Sequence, residues 1–132
     1  MAKKKLIETT KLLLWVNDNL AMDESRYQGF LSKGVSVVCA ATTGKAIELF
    51  GRAQYDAIIT DLRRQEYGQK NDNAGIELTQ QIRRTNGHIP IFIYTINLDS
   101  LIVDLAKRSG ATLITANPAE FDNTLRQHQL IP

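Results

Sequence analysis

Asp18 and Asp61 each follow a short apolar run. Asp18 comes after Leu12-Leu13-Leu14-Trp15-Val16 with Asn17 between, and Asp61 comes directly after Ala57-Ile58-Ile59-Thr60. Two carboxylates brought together in a folded chain suit either a hard cation or a shifted acid–base pair. Magnesium takes oxygen ligands, keeps several waters and often shares its site with phosphate, so Asp18 and Asp61 fit it. With a cation beside it, Asp61 is a candidate carboxylate nucleophile towards phosphorus, forming an acyl phosphate. Thr95, after Ile91-Phe92-Ile93-Tyr94, is a candidate hydrogen-bond donor to a phosphoryl oxygen. The plainer alternative gives the aspartates local work, Asp18 capping the first helix and Asp61 starting a turn.

Which reading holds depends on the elements that carry these residues. Five apolar runs have strand length: the three just named, Val35-Ser36-Val37-Val38-Cys39, and Thr112-Leu113-Ile114. Each is continuous rather than alternating, as in strands covered on both faces. Between them lie segments of helical period. Tyr27, Phe30 and Leu31 mark the first; Ala46, Ile47 and Phe50 the second, with Thr42 or Thr43 as N-cap. Gly75, Leu78 and Ile82 mark the third. Ile102, Leu105 and Ala106 mark the fourth, stopped by Gly110, and Phe121 and Leu125 the fifth, entered through Pro118. Strand and helix alternate five times, which predicts an α/β fold: a doubly wound five-stranded parallel sheet with helices on both faces. In the flavodoxin-like order 2-1-3-4-5 the first and third strands are neighbours at the switch point. Asp18 and Asp61 then face each other where such sheets bind ligands. One connection, residues 62–74, is long for a strand-to-helix loop, which usually takes roughly 2–6 residues, and long loops are often functional.

Composition narrows the classes further. The 132 residues fit one domain, residues 11–132, behind a basic flexible tail, residues 1–10, with Lys3, Lys4 and Lys5. A net charge of +2, with 43% hydrophobic and 23% charged residues, is ordinary for a soluble protein and predicts no direct nucleic-acid partner. Glu8 interrupts the first apolar run at once, and no later stretch has the length of a membrane span, so no membrane role and a cytoplasmic location are expected. Cys39 alone forms no intramolecular disulfide and is expected to be a buried structural thiol. Trp15 and Tyr94 are expected in the core. His88 and His128 have no partner in the sequence that suggests a metal or a catalytic dyad.

Over nearly its whole length the chain resembles the receiver domains of two-component response regulators. The resemblance rests on Leu13-Leu-Trp-Val-Asn-Asp-Asn19, Tyr55-Asp-Ala-Ile-Ile-Thr-Asp-Leu62, Gly75-Ile-Glu-Leu78 with Ile82-Arg83, Pro90-Ile-Phe-Ile-Tyr-Thr95, and Gly110-Ala-Thr112 followed by Asn117-Pro118. It implies that Asp61 is the phosphoacceptor and Thr95 the switch hydroxyl. It implies a Mg2+ site made by Asp18, Asp61 and the backbone carbonyl of Arg63.

Four positions depart from the family pattern. Asn17 replaces one of two acidic residues, which weakens Mg2+ binding. Asn117 replaces the lysine that pairs with the phosphoryl group, losing the charge-assisted part of that bond, on the order of 1–2 kcal/mol. With the cis peptide bond to Pro118 typical of the family, Asn117 is expected to stay aimed at the site. Ile96 stands where a small residue is usual and is expected to crowd Asp61. Ile114 stands at the switch aromatic and packs without swinging out. The loop after Asp61 carries Arg63, Arg64, Glu66, Tyr67 and Lys70. One of its cations is a candidate to replace the lost lysine, against the plainer expectation of a solvated charged loop.

The expected function is therefore a phosphorelay receiver, not an enzyme. It takes a phosphoryl group from a histidine kinase or phosphotransfer protein onto Asp61 with Mg2+ and signals by protein–protein contact. The face of the fourth helix, fifth strand and fifth helix is open to a regulatory protein or a second copy. The alternative is a pseudo-receiver, an interaction module that signals without phosphorylation. A Mg2+-dependent phosphohydrolase is a third class, but it needs a general acid near Asp61 that the sequence does not offer.

Overall fold

The computed structural model describes residues 10–19 and 24–132, so the expected basic tail lies outside the described residues except for Thr10. In chain order the elements begin with β1 (Lys11–Val16), α1 (Glu24–Ser32), β2 (Val35–Ala40), α2 (Thr43–Phe50) and β3 (Ala57–Thr60). They continue with β4 (Arg64–Glu66), β5 (Gln69–Asn71), α3 (Ala74–Arg83), β6 (Ile91–Tyr94), α4 (Ser100–Arg108), β7 (Leu113–Thr115) and α5 (Pro118–Gln127).

The main sheet has the order β2-β1-β3-β6-β7, and every pairing in it is parallel. That is the expected order 2-1-3-4-5, because the short strands β4 and β5 pair only with each other. The register lines up the carboxyl ends: Val16 stands beside Ala40 and Thr60, and Thr60 beside Ile93. The residues that follow therefore emerge together on one edge.

Pleating sends successive side chains of a strand to opposite faces. Leu13, Trp15, Ile59 and Phe92 meet Phe30, Phe121 and Leu125 on one face, while Leu14, Val16, Ile58 and Ile91 meet Ala46, Leu78 and Ile82 on the other. Burial on both faces explains why β1 and β3 read as unbroken apolar runs. Strand β2 lies at the edge, and its Ser36 is exposed. Trp15 is in the core as expected. Tyr94 is only half-buried; it stacks on Phe121 at 4.6 Å, and the Arg26 guanidinium lies 5.2 Å from the Tyr94 ring centre and 4.9 Å from that of Phe121. Cys39 is half-buried rather than buried.

Of the two candidate caps for α2, Thr42 takes the role: its hydroxyl accepts from Lys45 N at 3.1 Å. Thr43 is thereby left for other work. Gly110 follows α4 with φ +106°, a left-handed conformation that glycine adopts at little cost. Pro118 opens α5 as expected.

Helix α3 comes so close to the end of β3 that Gly75 has no room for a side chain. A β-carbon there would stand 2.2 Å from the carbonyl oxygen of Asp61. Gly75 N donates to Leu62 O at 3.0 Å, which ties the helix start to the segment that carries Asp61.

Candidate functional site

The carboxyl ends of β1, β3 and β6 border a cleft of about 530 Å³ whose walls include Asn17, Asp18, Asp61, Arg63, Thr95 and Ile96. The strand register delivers the two aspartates to it. Asp61, one residue past β3, donates its backbone N–H to Val16 O at 3.1 Å, and the Asp18 N–H hydrogen-bonds back to the Asp61 carboxylate. The expected juxtaposition of Asp18 and Asp61 is present. Neither aspartate is limited to a local turn: the carboxylate of Asp18 accepts from Gln65 N at 2.7 Å, 47 residues along the chain.

Residues 62–74, expected as a loop, contain a β-hairpin. Strands β4 and β5 pair antiparallel through Tyr67-Gly68, whose φ values of +53° and +80° are those of a two-residue type I′ turn. Nothing in Arg64-Gln65-Glu66 or Gln69-Lys70-Asn71 alternates apolar with polar, so periodicity gave no strand signal; Gly68 was the one local hint. Tyr67 at the tip is 81% exposed, although its hydroxyl comes close to Gly44 of α2.

The hairpin carries a cation into the interior, which corrects the expectation of a solvated charged loop. The Arg64 side chain is wholly buried, and each guanidinium nitrogen has a partner. Nε donates to Glu66 Oε1 at 2.7 Å, Nη2 to Thr43 Oγ1 at 2.8 Å, and Nη1 to Thr60 Oγ1 at 3.0 Å and to Asp61 Oδ1. Glu66 Oε1 also accepts from the backbone N–H and the hydroxyl of Thr43, each at 2.7 Å. Glu66 is thus the counter-ion that makes the buried guanidinium tolerable. Lys70 is the cation that meets the plainer expectation, exposed and paired at the surface with Asp72 at 3.5 Å.

These neighbours set the charge states. Burial pushes the Asp61 carboxyl up to about 6; the Arg64 guanidinium pulls the other way, and the Asp18 charge adds to the rise. At neutral pH most of the group is ionised. For Glu66, burial acts upward, but the hydrogen bonds from Thr43 and Arg64 together outweigh it and hold the carboxyl below the usual range.

Thr95 follows β6 and anchors its backbone N–H on Thr115 O at 3.1 Å. Its hydroxyl accepts from Arg63 Nη1 at 3.4 Å, and the same nitrogen donates to Asn97 O at 3.1 Å. The two arginines after Asp61 therefore part, Arg63 to the threonine across the cleft and Arg64 beneath the carboxylate.

Asn117 departs from expectation. All described peptide bonds are trans, including the one to Pro118, and Asn117 Oδ1 accepts from Ala119 N at 2.9 Å and Glu120 N at 3.3 Å. The side chain caps α5 and is not aimed at Asp61. Replacing it by alanine is expected to cost about 1 kcal/mol of stability, read from a urea unfolding curve, while leaving the chemistry at Asp61 unchanged.

Asn17 is half-buried at the end of β1, where its backbone N–H donates to Ala40 O at 2.9 Å and its Oδ1 accepts from Asn19 N at 2.8 Å. Ile96 lines the cleft but is 87% exposed, so it stands on the rim and does not cover the carboxylate. Ile114 is buried with Leu62, Ile76, Ile93 and Ala106, packed as expected. His128 closes α5, its ring edge-on to Phe92 at 5.3 Å.

The donor chemistry fits magnesium in part. Asp18 and Asp61 present hard oxygen atoms to one cleft, and each has one oxygen already engaged by the hairpin. No cluster of three or more acidic, histidine or cysteine side chains exists among the described residues. With Arg64 in contact the cation has less negative charge to neutralise, so the residues suit a weak site completed by backbone oxygen and water.

No protein-family model matches the chain, and no curated protein matches it. Solved structures do. A LuxR-family two-component response regulator from an Aurantimonas species shares 26% identity at a TM-score of 0.73, over 91% of this chain and 85% of that one. A two-component response regulator from Clostridium difficile shares 22% at 0.73, over 91% and 95%. The chemotaxis protein CheY4 of Vibrio cholerae shares 22% at 0.76, over 89% and 98%. No helix among the described residues is long and apolar enough to cross a membrane.

Proposed function

We propose that this chain, a receiver domain of the two-component response regulator family, accepts a phosphoryl group on Asp61 and signals by protein–protein contact. The observation that carries the reading is the shared cleft. The ionised Asp61 carboxylate opens into it between Asp18 and Thr95, at the switch point of the sheet. Asp61 is the nucleophile and carries the phosphoryl group, so the domain is a phosphoacceptor. Thr95 accepts from Arg63, which leaves its own proton for a phosphoryl oxygen. Asp18, Asp61 and the backbone carbonyl of Arg63 are the groups that would hold Mg2+. When bound, Mg2+ supplies positive charge to the phosphoryl oxygens. The donor is a histidine kinase or phosphotransfer protein, and a cytoplasmic location suits such a partner.

A second reading, an interaction module that signals without phosphorylation, is favoured by one observation. The hairpin already takes an oxygen of each aspartate, Asp61 through Arg64 and Asp18 through Gln65. The two readings part in one measurement. Incubated with Mg2+ and acetyl phosphate, the wild type is expected to gain the mass of one phosphoryl group, and Asp61→Asn none. A wild type that stays unmodified at high donor concentration supports the interaction module and overturns the first reading.

A further inference from the structure

Arg64 approaches Asp61 from below and stays out of the cleft. It is not among the residues that line the cleft, its side chain is wholly buried, and all three guanidinium nitrogens are held by Glu66, Thr43, Thr60 and Asp61. A cation so anchored does not swing onto incoming phosphoryl oxygens. It remains on Oδ1 of Asp61, which leaves Oδ2 to meet phosphorus.

We propose that Arg64 acts on the leaving group of the acyl phosphate: by holding Oδ1 it speeds loss of the phosphoryl group from Asp61 and makes the phosphorylated state short-lived. This inference rests on Asp61 being the phosphoacceptor. During transfer, Oδ2 gives an electron pair to phosphorus, the bond from phosphorus to the donor oxygen breaks, and acetyl phosphate departs as acetate. The Asp61 carboxyl becomes a neutral mixed anhydride with Oδ1 as its carbonyl oxygen, so its bond to the guanidinium loses the charge on the acceptor side. In hydrolysis a water oxygen attacks phosphorus, the bond from phosphorus to Oδ2 breaks, and its electron pair returns to the carboxylate. Both water protons leave with the inorganic phosphate. Negative charge then develops on Oδ1, where a positioned guanidinium stabilises it more in the transition state than in the neutral anhydride. Glu66 and Thr43 are positioning residues; they keep Arg64 in place and touch no reacting atom.

The test compares lifetimes. Wild type, E66Q, R64K and the pair R64M/E66Q are loaded with acetyl phosphate and Mg2+, freed of donor by rapid desalting, and followed by intact mass. Circular dichroism and Trp15 emission check that each is folded. The pair is used because R64M alone leaves Glu66 without its counter-ion. R64M/E66Q is expected to hold the phosphoryl group about tenfold to a hundredfold longer than wild type, the worth of one hydrogen bond to a charged group. R64K, which keeps the charge but cannot span four oxygens, is expected to fall between them, and carries the comparison if the pair does not fold. Lifetimes in R64M/E66Q and R64K no longer than in wild type overturn the proposal, as does an E66Q lifetime equal to that of the pair. If no variant takes the phosphoryl group, the phosphoacceptor reading itself fails and this one with it.

Discussion

Replacing Arg64 by methionine alone is expected to lower the unfolding free energy by about 3 kcal/mol. Methionine fills much of the volume but donates to none of the four oxygens that Arg64 serves. Glu66 and Asp61 are then left facing the interior without their cation. Removing one partner of a buried ion pair costs roughly 3–5 kcal/mol. The low end applies because the Asp61 and Glu66 side chains keep 17% and 12% of their surface in water, and Thr43 still donates twice to Glu66. Adding Glu66→Gln to the same chain is expected to restore part of the loss. A double-mutant cycle from urea unfolding curves reads that coupling directly. Additive losses at the two positions contradict the ion pair as the source.

Gly75→Ala is expected to cost about 2–3 kcal/mol, although alanine is the better helix former. The added methyl carbon stands 2.2 Å from the Asp61 carbonyl oxygen and 3.2 Å from Leu62 Cα, and both obstacles are backbone. Either α3 withdraws or the end of β3 bends, and either change moves Asp61. The same substitution should therefore slow phosphoryl uptake as well as lower the unfolding midpoint. Gly29→Ala in α1 is the control: nothing lies within 4 Å of a β-carbon there, so helix propensity is free to act and stability should rise slightly. A Gly75→Ala protein as stable and as reactive as wild type shows that the close approach is not needed.

The aspartates and the sheet were legible because both follow from local patterns. Runs such as Leu12-Leu13-Leu14-Trp15-Val16 are apolar throughout, as suits a strand buried on both faces. Once strands and helices alternate, the parallel order and the switch point follow from chain topology, and Asp18 and Asp61 take their places. The cap of α2 was legible as Thr42 or Thr43 for the same reason, since the cap bonds a backbone N–H only three residues away, and the structure selects Thr42. Asn117 was misjudged where local chemistry competed with the site: its side chain bonds the start of α5, the commonest use of an asparagine before a helix.

Asp18 and Asp61 as a facing pair, the five-stranded parallel sheet and the threonine across the cleft were determined by the sequence by itself, because period and turn chemistry act over a few residues. Arg64 was decided only by the tertiary structure. A charged residue in a polar segment reads as solvated. Whether it turns inward depends on partners at Thr43, Thr60 and Glu66, which the sheet and the hairpin bring together from different parts of the chain. Desolvating a guanidinium is tolerated only when each of its nitrogens finds an acceptor, and that condition belongs to three-dimensional arrangement rather than to order along the chain.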